Sequence, residues 1–134
     1  KETYNYIMWI DSDMVFEPED FQKLLDAEKK VITGLYKVEQ SDEYACYKSD
    51  DNKRINKEYL ETNSGVVETS FAGMGFMLIR SGVFEKMKFP YFSIPSHGEC
   101  VSETISFCHN LKAAEIQLHA HLDVIVGHEK SIIL

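Results

Sequence analysis

Two aspartates, Asp11 and Asp13, stand one serine apart directly after a β-rich apolar run, Tyr6 to Ile10. Side chains two apart in an extended chain share a side, so strand geometry persisting past Ile10 would make the carboxylates an oxygen-rich claw. The chemistry open to such a claw is binding of a divalent cation, Mn²⁺ or Mg²⁺. Two bare carboxylates would repel a diphosphate, by about 4 kcal/mol for each unit-charge pair at ~4 Å and an effective dielectric near 20. A cation between them reverses that sign. Solvated loop acids produce the same short pattern, so the pair needs company before it means much.

Two further residues offer that company. His128 follows Gly127 at the end of the last apolar stretch, where a neutral imidazole would add a third ligand, and a His/carboxylate set suits Mn²⁺ better than Mg²⁺. The same histidine also reads as an exposed hydrogen-bonding residue of a turn. Glu103 opens a helical pattern after a Pro/Gly-rich loop; it is either a base or clamp for a bound hydroxyl, or an acid favoured by the helix dipole. His119, His121 and Asp123 alternate along the final strand and share a face, but no Cys pair or fourth ligand is spaced to complete a zinc set. Trp9 and Phe16 flank the aspartates and read as core. Cys46, Cys100 and Cys108, an odd number in a chain large enough to do without staples, read as unpaired thiols and point to a reducing, cytoplasmic compartment.

These residues have to be positioned by an α/β scaffold. The Tyr4 to Ile10 run reads as a central strand buried on both faces. Pro18 with Glu19 and Asp20 starts a short amphipathic helix that places Phe21, Leu24 and Leu25 on one face. Val31 to Tyr36 follows as a strand, and this strand–helix–strand unit implies parallel pairing. Residues 38–61 are polar with scattered aromatics and read as a hairpin or excursion without a second core. Strands follow on either side of Gly73-Met74-Gly75, whose glycines mark a close backbone approach. One or two helical turns over 81–87, a helix over 101–114 with Ser102 as N-cap, and a last strand over 116–126 complete the pattern.

With 134 residues and 44% hydrophobic content, residues 1–134 read as one domain with a real core. A formal charge of −8 with scattered lysines argues against nucleic acid as a partner. No apolar run approaches the roughly 20 residues of a membrane span. Sheet edges left open on so small a scaffold give a reason to expect a homodimer.

Four blocks occur in an order that is itself informative: residues 6–16 with the aspartate pair, residues 71–80 with the glycine-rich turn, residues 102–108 with Glu103, and residues 124–130 with His128. Together they resemble the catalytic half of a GT-A fold glycosyltransferase, of the nucleotide-diphospho-sugar transferase superfamily, over nearly the whole chain except the 38–61 excursion. The resemblance implies a Rossmann-like mixed sheet flanked by helices, in a truncated or minimal version, because such enzymes carry a nucleotide-binding region ahead of this strand. It implies that Asp11, Asp13 and His128 hold the metal, with Asp11 also near the ribose or phosphates of a UDP- or GDP-sugar donor. It further implies that Gly73, Met74 and Gly75 pass close to the donor sugar, that Thr104 and Lys130 join the substrate contacts, and that Glu103 faces an acceptor hydroxyl. The second acid of the family's usual pair is Thr104 here, so an aspartate base at that position is replaced. A binding module without transfer, and a nucleotidyltransferase using the same carboxylates, are the alternatives.

Overall fold

A computed structural model describes residues 4–38, 41–87 and 103–128, with the side chains of Glu103 and His128 outside the described set. The chain begins with β1 (Tyr6–Ile10), a two-residue strand β2 (Met14–Val15) and helix α1 (Pro18–Asp26). Pro18 takes the first turn, where its missing N–H is no loss, and the Asp20 carboxylate accepts from the Glu17 N–H at 2.9 Å. The helix is released at Ala27, after which Glu28 adopts a φ of 53°. Then come β3 (Val31–Leu35), β4 (Glu43–Lys48), β5 (Arg54–Asn56), α2 (Lys57–Thr62), β6 (Val66–Ala72) and β7 (Phe76–Arg80). A short α3 (Val83–Lys86), the longer α4 (Glu103–Ala113), β8 (Leu118–Ile125) and β9 (Gly127–His128) close the described chain.

Seven strands form one mixed sheet in the order β1-β7-β3-β8-β6-β4-β5, and β2 pairs with β9 in a separate two-stranded ribbon. The α/β class and the mixed sheet flanked by helices are as the sequence implies. Two details differ. β1 and β3 do not pair with each other, because β7 lies between them and runs antiparallel to both: Met77 is the register partner of Trp9 on one side and of Thr33 on the other. The apolar run Phe76 to Ile79 is almost wholly buried, and such a run takes an interior position wherever the chain enters it. β3 finds its parallel neighbour in β8.

The second difference concerns β1, expected to be central and buried on both faces. Among the described residues it is an edge strand paired with β7 alone, half-buried over Tyr6 to Met8 and exposed at Trp9 (43%) and Ile10 (40%). An apolar sequence reports affinity for cover without saying how many neighbours supply it. Trp9 and Phe16, read as core, are both exposed, although the Phe16 ring tilts against Phe76 with centroids 4.9 Å apart.

Each face of the sheet has its own apolar layer. Leu24 of α1 packs with Ile32, Phe76, Leu78, Val124 and Val126 on one side. On the other, Phe107, Cys108 and Leu111 of α4 pack with Val31, Leu35, Met77, Ile79, Leu118, Ala120 and Leu122. The register between β3 and β8 shifts between Thr33 and Leu35, so β8 contributes to both layers. Within the 38–61 stretch β4 and β5 form a hairpin, one of the two forms expected, and α2 follows it where no helix was expected. The stretch is part of the main core: Tyr44, Cys46 and Ile55 are buried there, and β4 pairs with β6.

Leu24 is the one fully buried residue of α1 and, with half-buried Phe21 and Leu25 packed beside it, is the main anchor of the helix on the sheet. Leu24→Ala is expected to cost about 2–5 kcal/mol, read as a lower urea midpoint at unchanged slope. A loss under ~1 kcal/mol would show that α1 is seated by other contacts.

Candidate functional site

Parallel-running strands deliver their carboxyl ends to one margin of an open α/β sheet, where ligands bind. Here that margin receives Asp11 after β1, Tyr36 after β3 and Gly127 after β8, together with the Gly73-Met74-Gly75 turn that leads into the antiparallel β7. The aspartates are gathered differently from the sequence expectation. β1 ends at Ile10, and Asp11 to Met14 close a turn in which the Met14 N–H donates to the Asp11 carbonyl at 3.1 Å. Asp-Ser-Asp is turn-forming composition, and it prevails over continued extension. The turn is tied to its neighbour by the Asp11 N–H, which donates to the Gly75 carbonyl at 2.9 Å. Asp11 is exposed and Asp13 half-buried.

The β2–β9 ribbon brings the far end of the chain to this turn. Met14 pairs with His128 and Val15 with Gly127, so the backbone of His128 lies opposite the residue after Asp13. Gly127 permits this approach, since a Cβ there would stand 3.3 Å from the Val15 Cβ. Lys130 and the His128 side chain lie outside the described residues.

Tyr36 is the residue that sequence reasoning missed. Its hydroxyl accepts a hydrogen bond from the Gly75 N–H at 3.2 Å. A Cβ at Gly73 would overlap that hydroxyl, and one at Gly75 would overlap the Met14 methyl and stand 2.9 Å from the Tyr36 ring. The close approach signalled by the glycines is therefore first an approach of protein to protein. Met74, between them, turns its side chain into the core at 6% exposure, leaving its backbone to any ligand. Burial pushes the Tyr36 phenol above its ordinary value, the Gly75 N–H works against this, and the charges of Asp11 and Asp13 add to the rise. Both carboxylates thus bear on one phenolic oxygen. The signal available in sequence was an aromatic hydroxyl directly after the apolar run Val31 to Leu35, at the end of a strand.

Glu103 and Thr104 begin α4, which packs against β6; Thr104 is half-buried and the Glu103 side chain lies outside the described set. The acid pair is thus placed with Gly75 and Tyr36, and close in register to His128, while Lys130 and the Glu103 side chain lie outside the described residues. Among the described residues no group of three or more His, Cys, Asp or Glu side chains is gathered for a metal. The two aspartates fit a hard divalent cation as far as they go: exposed or half-exposed oxygen donors on one turn, with a histidine-bearing strand paired beside it.

Elsewhere, two of the three cysteines lie within the described residues. Cys46 and Cys108 are buried free thiols; burial pushes Cys46 up to about 12, and its Sγ lies 3.3 Å from the Thr69 hydroxyl, so it stays protonated. Cys100 and Ser102 lie outside the described residues. His119, His121 and Asp123 alternate with the buried Leu118, Ala120 and Leu122 along β8. A hollow of about 200 Å³ lined by residues including Ser70, Cys108, Lys112 and Gln117 shares no residue with the acid turn.

The fold and this margin define an α/β protein with an acidic turn at the carboxyl end of its sheet. No protein-family model matches the chain, and no curated protein does. Among solved structures it is similar to one titled "Crystal Structure of A197 from STIV", with a TM-score of 0.58 and 25% sequence identity. The match covers 87% of this chain and 53% of that one, so this chain spans about half the length of its structural neighbour.

The β8 histidines give the margin's scaffold a pH response. Burial, then Lys29, lowers His119, against a smaller opposing effect of Glu68, and its Nδ1 is buried with no hydrogen-bond partner among the described residues. Burial also lowers His121, with Asp123 opposing and Lys23 assisting. Both histidines bind protons more weakly folded than unfolded. Their neutral forms are matched above the ordinary value of about 6.5, and stability is lost as pH falls from there toward the depressed folded values. Urea midpoints measured from about pH 7.5 down to about pH 5 should decline, and less steeply in His119→Gln/His121→Gln. An unchanged slope in that variant would remove the histidines from the account.

Proposed function

We propose that this chain carries the metal and diphosphate site of a GT-A type glycosyltransferase, which moves a sugar from a nucleoside-diphosphate donor, UDP- or GDP-linked, to an acceptor hydroxyl. The observation that carries the reading is the meeting of the Asp11–Asp13 turn with the Gly75 backbone and the His128-bearing strand at the carboxyl end of the sheet. Asp11 and Asp13 would hold Mn²⁺ or Mg²⁺, with His128 as the third ligand. When bound, the cation supplies the positive charge that a departing nucleoside diphosphate requires.

The chain's own residues do the rest. The Asp11 backbone is fixed by the Gly75 carbonyl, so its carboxylate works from a turn held at both ends. The Gly73 to Gly75 backbone, closed on one side by Tyr36, is left to line the donor sugar on the other. Glu103 would orient or deprotonate the acceptor hydroxyl, Thr104 stands where a second acid would otherwise assist, and Thr104 and Lys130 would join the substrate contacts. A reducing, cytoplasmic setting accords with the two buried free thiols, and a homodimer would be expected to cover a sheet edge. Among the described residues no helix is long and apolar enough to cross a membrane.

Donor hydrolysis with Mn²⁺, followed as release of nucleoside diphosphate, tests the proposal. Asp13→Ala should lower turnover by about 10²-fold or more, since cation stabilisation of the leaving group is worth several kcal/mol. Unchanged turnover in a folded Asp13→Ala protein, or pyrophosphate in place of nucleoside diphosphate, would overturn it. Donor binding without turnover on any acceptor would leave a binding module in place of a transferase.

A further inference from the structure

The glycine-rich turn and the acid turn are joined through a side chain to which neither the resemblance nor the mechanism above gives a function. Tyr36 leaves β3 at the ligand margin with its hydroxyl against Gly75, whose N–H donates to it at 3.2 Å. The carbonyl of the same Gly75 accepts from the Asp11 N–H at 2.9 Å. One residue therefore hangs between a phenol and the first aspartate. Gly73 is the other half of the fit: its φ lies outside the left-handed region, so its backbone would admit alanine, and what opposes a Cβ there is Tyr36 together with the Ala45 methyl at 3.3 Å. Gly73 is held as well, its N–H donating to the Ala45 carbonyl at 2.8 Å.

We infer that Tyr36 is a positioning residue of the acid site, its hydroxyl seating the Gly73–Gly75 turn and, through the Gly75 peptide, fixing the backbone from which Asp11 presents its carboxylate. The functional half rests on the reading of Asp11 and Asp13 as cation ligands; the contact half does not. A structural tyrosine would contribute only packing, which phenylalanine supplies equally. A positioning tyrosine needs the oxygen, because the Gly75 N–H has its bond there and a mobile Gly75 peptide releases Asp11.

The experiment uses five proteins: wild type, Tyr36→Phe, Gly73→Ala, the double variant, and Ile55→Ala as a control destabilised at the opposite margin of the sheet. Urea unfolding reads the contact, and quenching of the free Mn²⁺ paramagnetic resonance signal reads the site. Gly73→Ala should be clearly less stable than wild type, and Tyr36→Phe should restore part of that loss in the double variant, because removing the hydroxyl vacates the space the new methyl needs. Tyr36→Phe alone should bind Mn²⁺ about three- to tenfold more weakly, while Ile55→Ala binds as wild type does. Additive losses in the double variant would overturn the contact. Wild-type Mn²⁺ affinity in Tyr36→Phe would overturn the positioning role while leaving the metal site standing. Failure of the wild-type protein itself to bind Mn²⁺ would end the metal reading and the positioning role with it, and leave the contact to the unfolding data alone.

Discussion

β7 enters the sheet between β1 and β3, and most of what is distinctive about the molecule follows from where that places its first residues. A strand buried almost completely from Phe76 to Ile79 must pair on both sides, and it does so antiparallel, which turns its amino end toward the carboxyl ends of its neighbours. Gly75 arrives beside Asp11 for that reason, and the Gly73 turn arrives beside Tyr36 for the same reason. Ile10 and Phe76 form the last rung of the β1–β7 ladder; one residue further on, the ladder becomes the Asp11–Gly75 bond that holds the acid turn. The site is a continuation of sheet hydrogen bonding past the end of the sheet.

Where a feature is local, the sequence announces it. The start of α1 is written in Pro18, Glu19 and Asp20, and the hairpin in the polar stretch after Val38 is closed around Asp51 and Asn52, a residue at positive φ. β8 shows its alternation directly, Leu118, Ala120 and Leu122 inward against His119, His121 and Asp123. What failed was neighbourhood. The run from Tyr6 to Ile10 has the composition of a central strand and occupies an edge, because composition fixes affinity for apolar cover and the order of strands is decided by pairing across the whole chain. In the same way, Asp11 and Asp13 were legible as a pair, and their turn was open to a local reading of Asp-Ser-Asp, while the tie of that turn to the Gly75 carbonyl, more than sixty residues away, was not.

Tyr36 shows the limit most directly. Gly73 and Gly75 say that something comes close, and a ligand and a side chain satisfy that statement equally well. Only the fold identifies the phenol, and it changes the meaning of the glycines: they make room for an internal brace, and the surface left to a donor is the side of the turn that Tyr36 does not occupy. Buried thiols make a comparable point. Cys46 and Cys108 lie in the apolar layer under α4 with their sulfurs directed to Thr69 and Ala72, so the residue type with most latent reactivity is here used for its volume.

The register shift in β8 carries a further consequence. Before it, Leu118, Ala120 and Leu122 belong to the layer beneath α4; after it, Val124 and Val126 belong to the layer beneath α1. In a regular strand Val124 and Val126 would have faced the same layer as Leu118, Ala120 and Leu122, with the residues between them facing the other. This one is stitched through the sheet, so neither helix can lift away with its own layer intact without disturbing the strand that anchors the other. The two sides of the molecule are thereby made into a single cooperative unit, and the ribbon that carries His128 is attached to the end of the stitch.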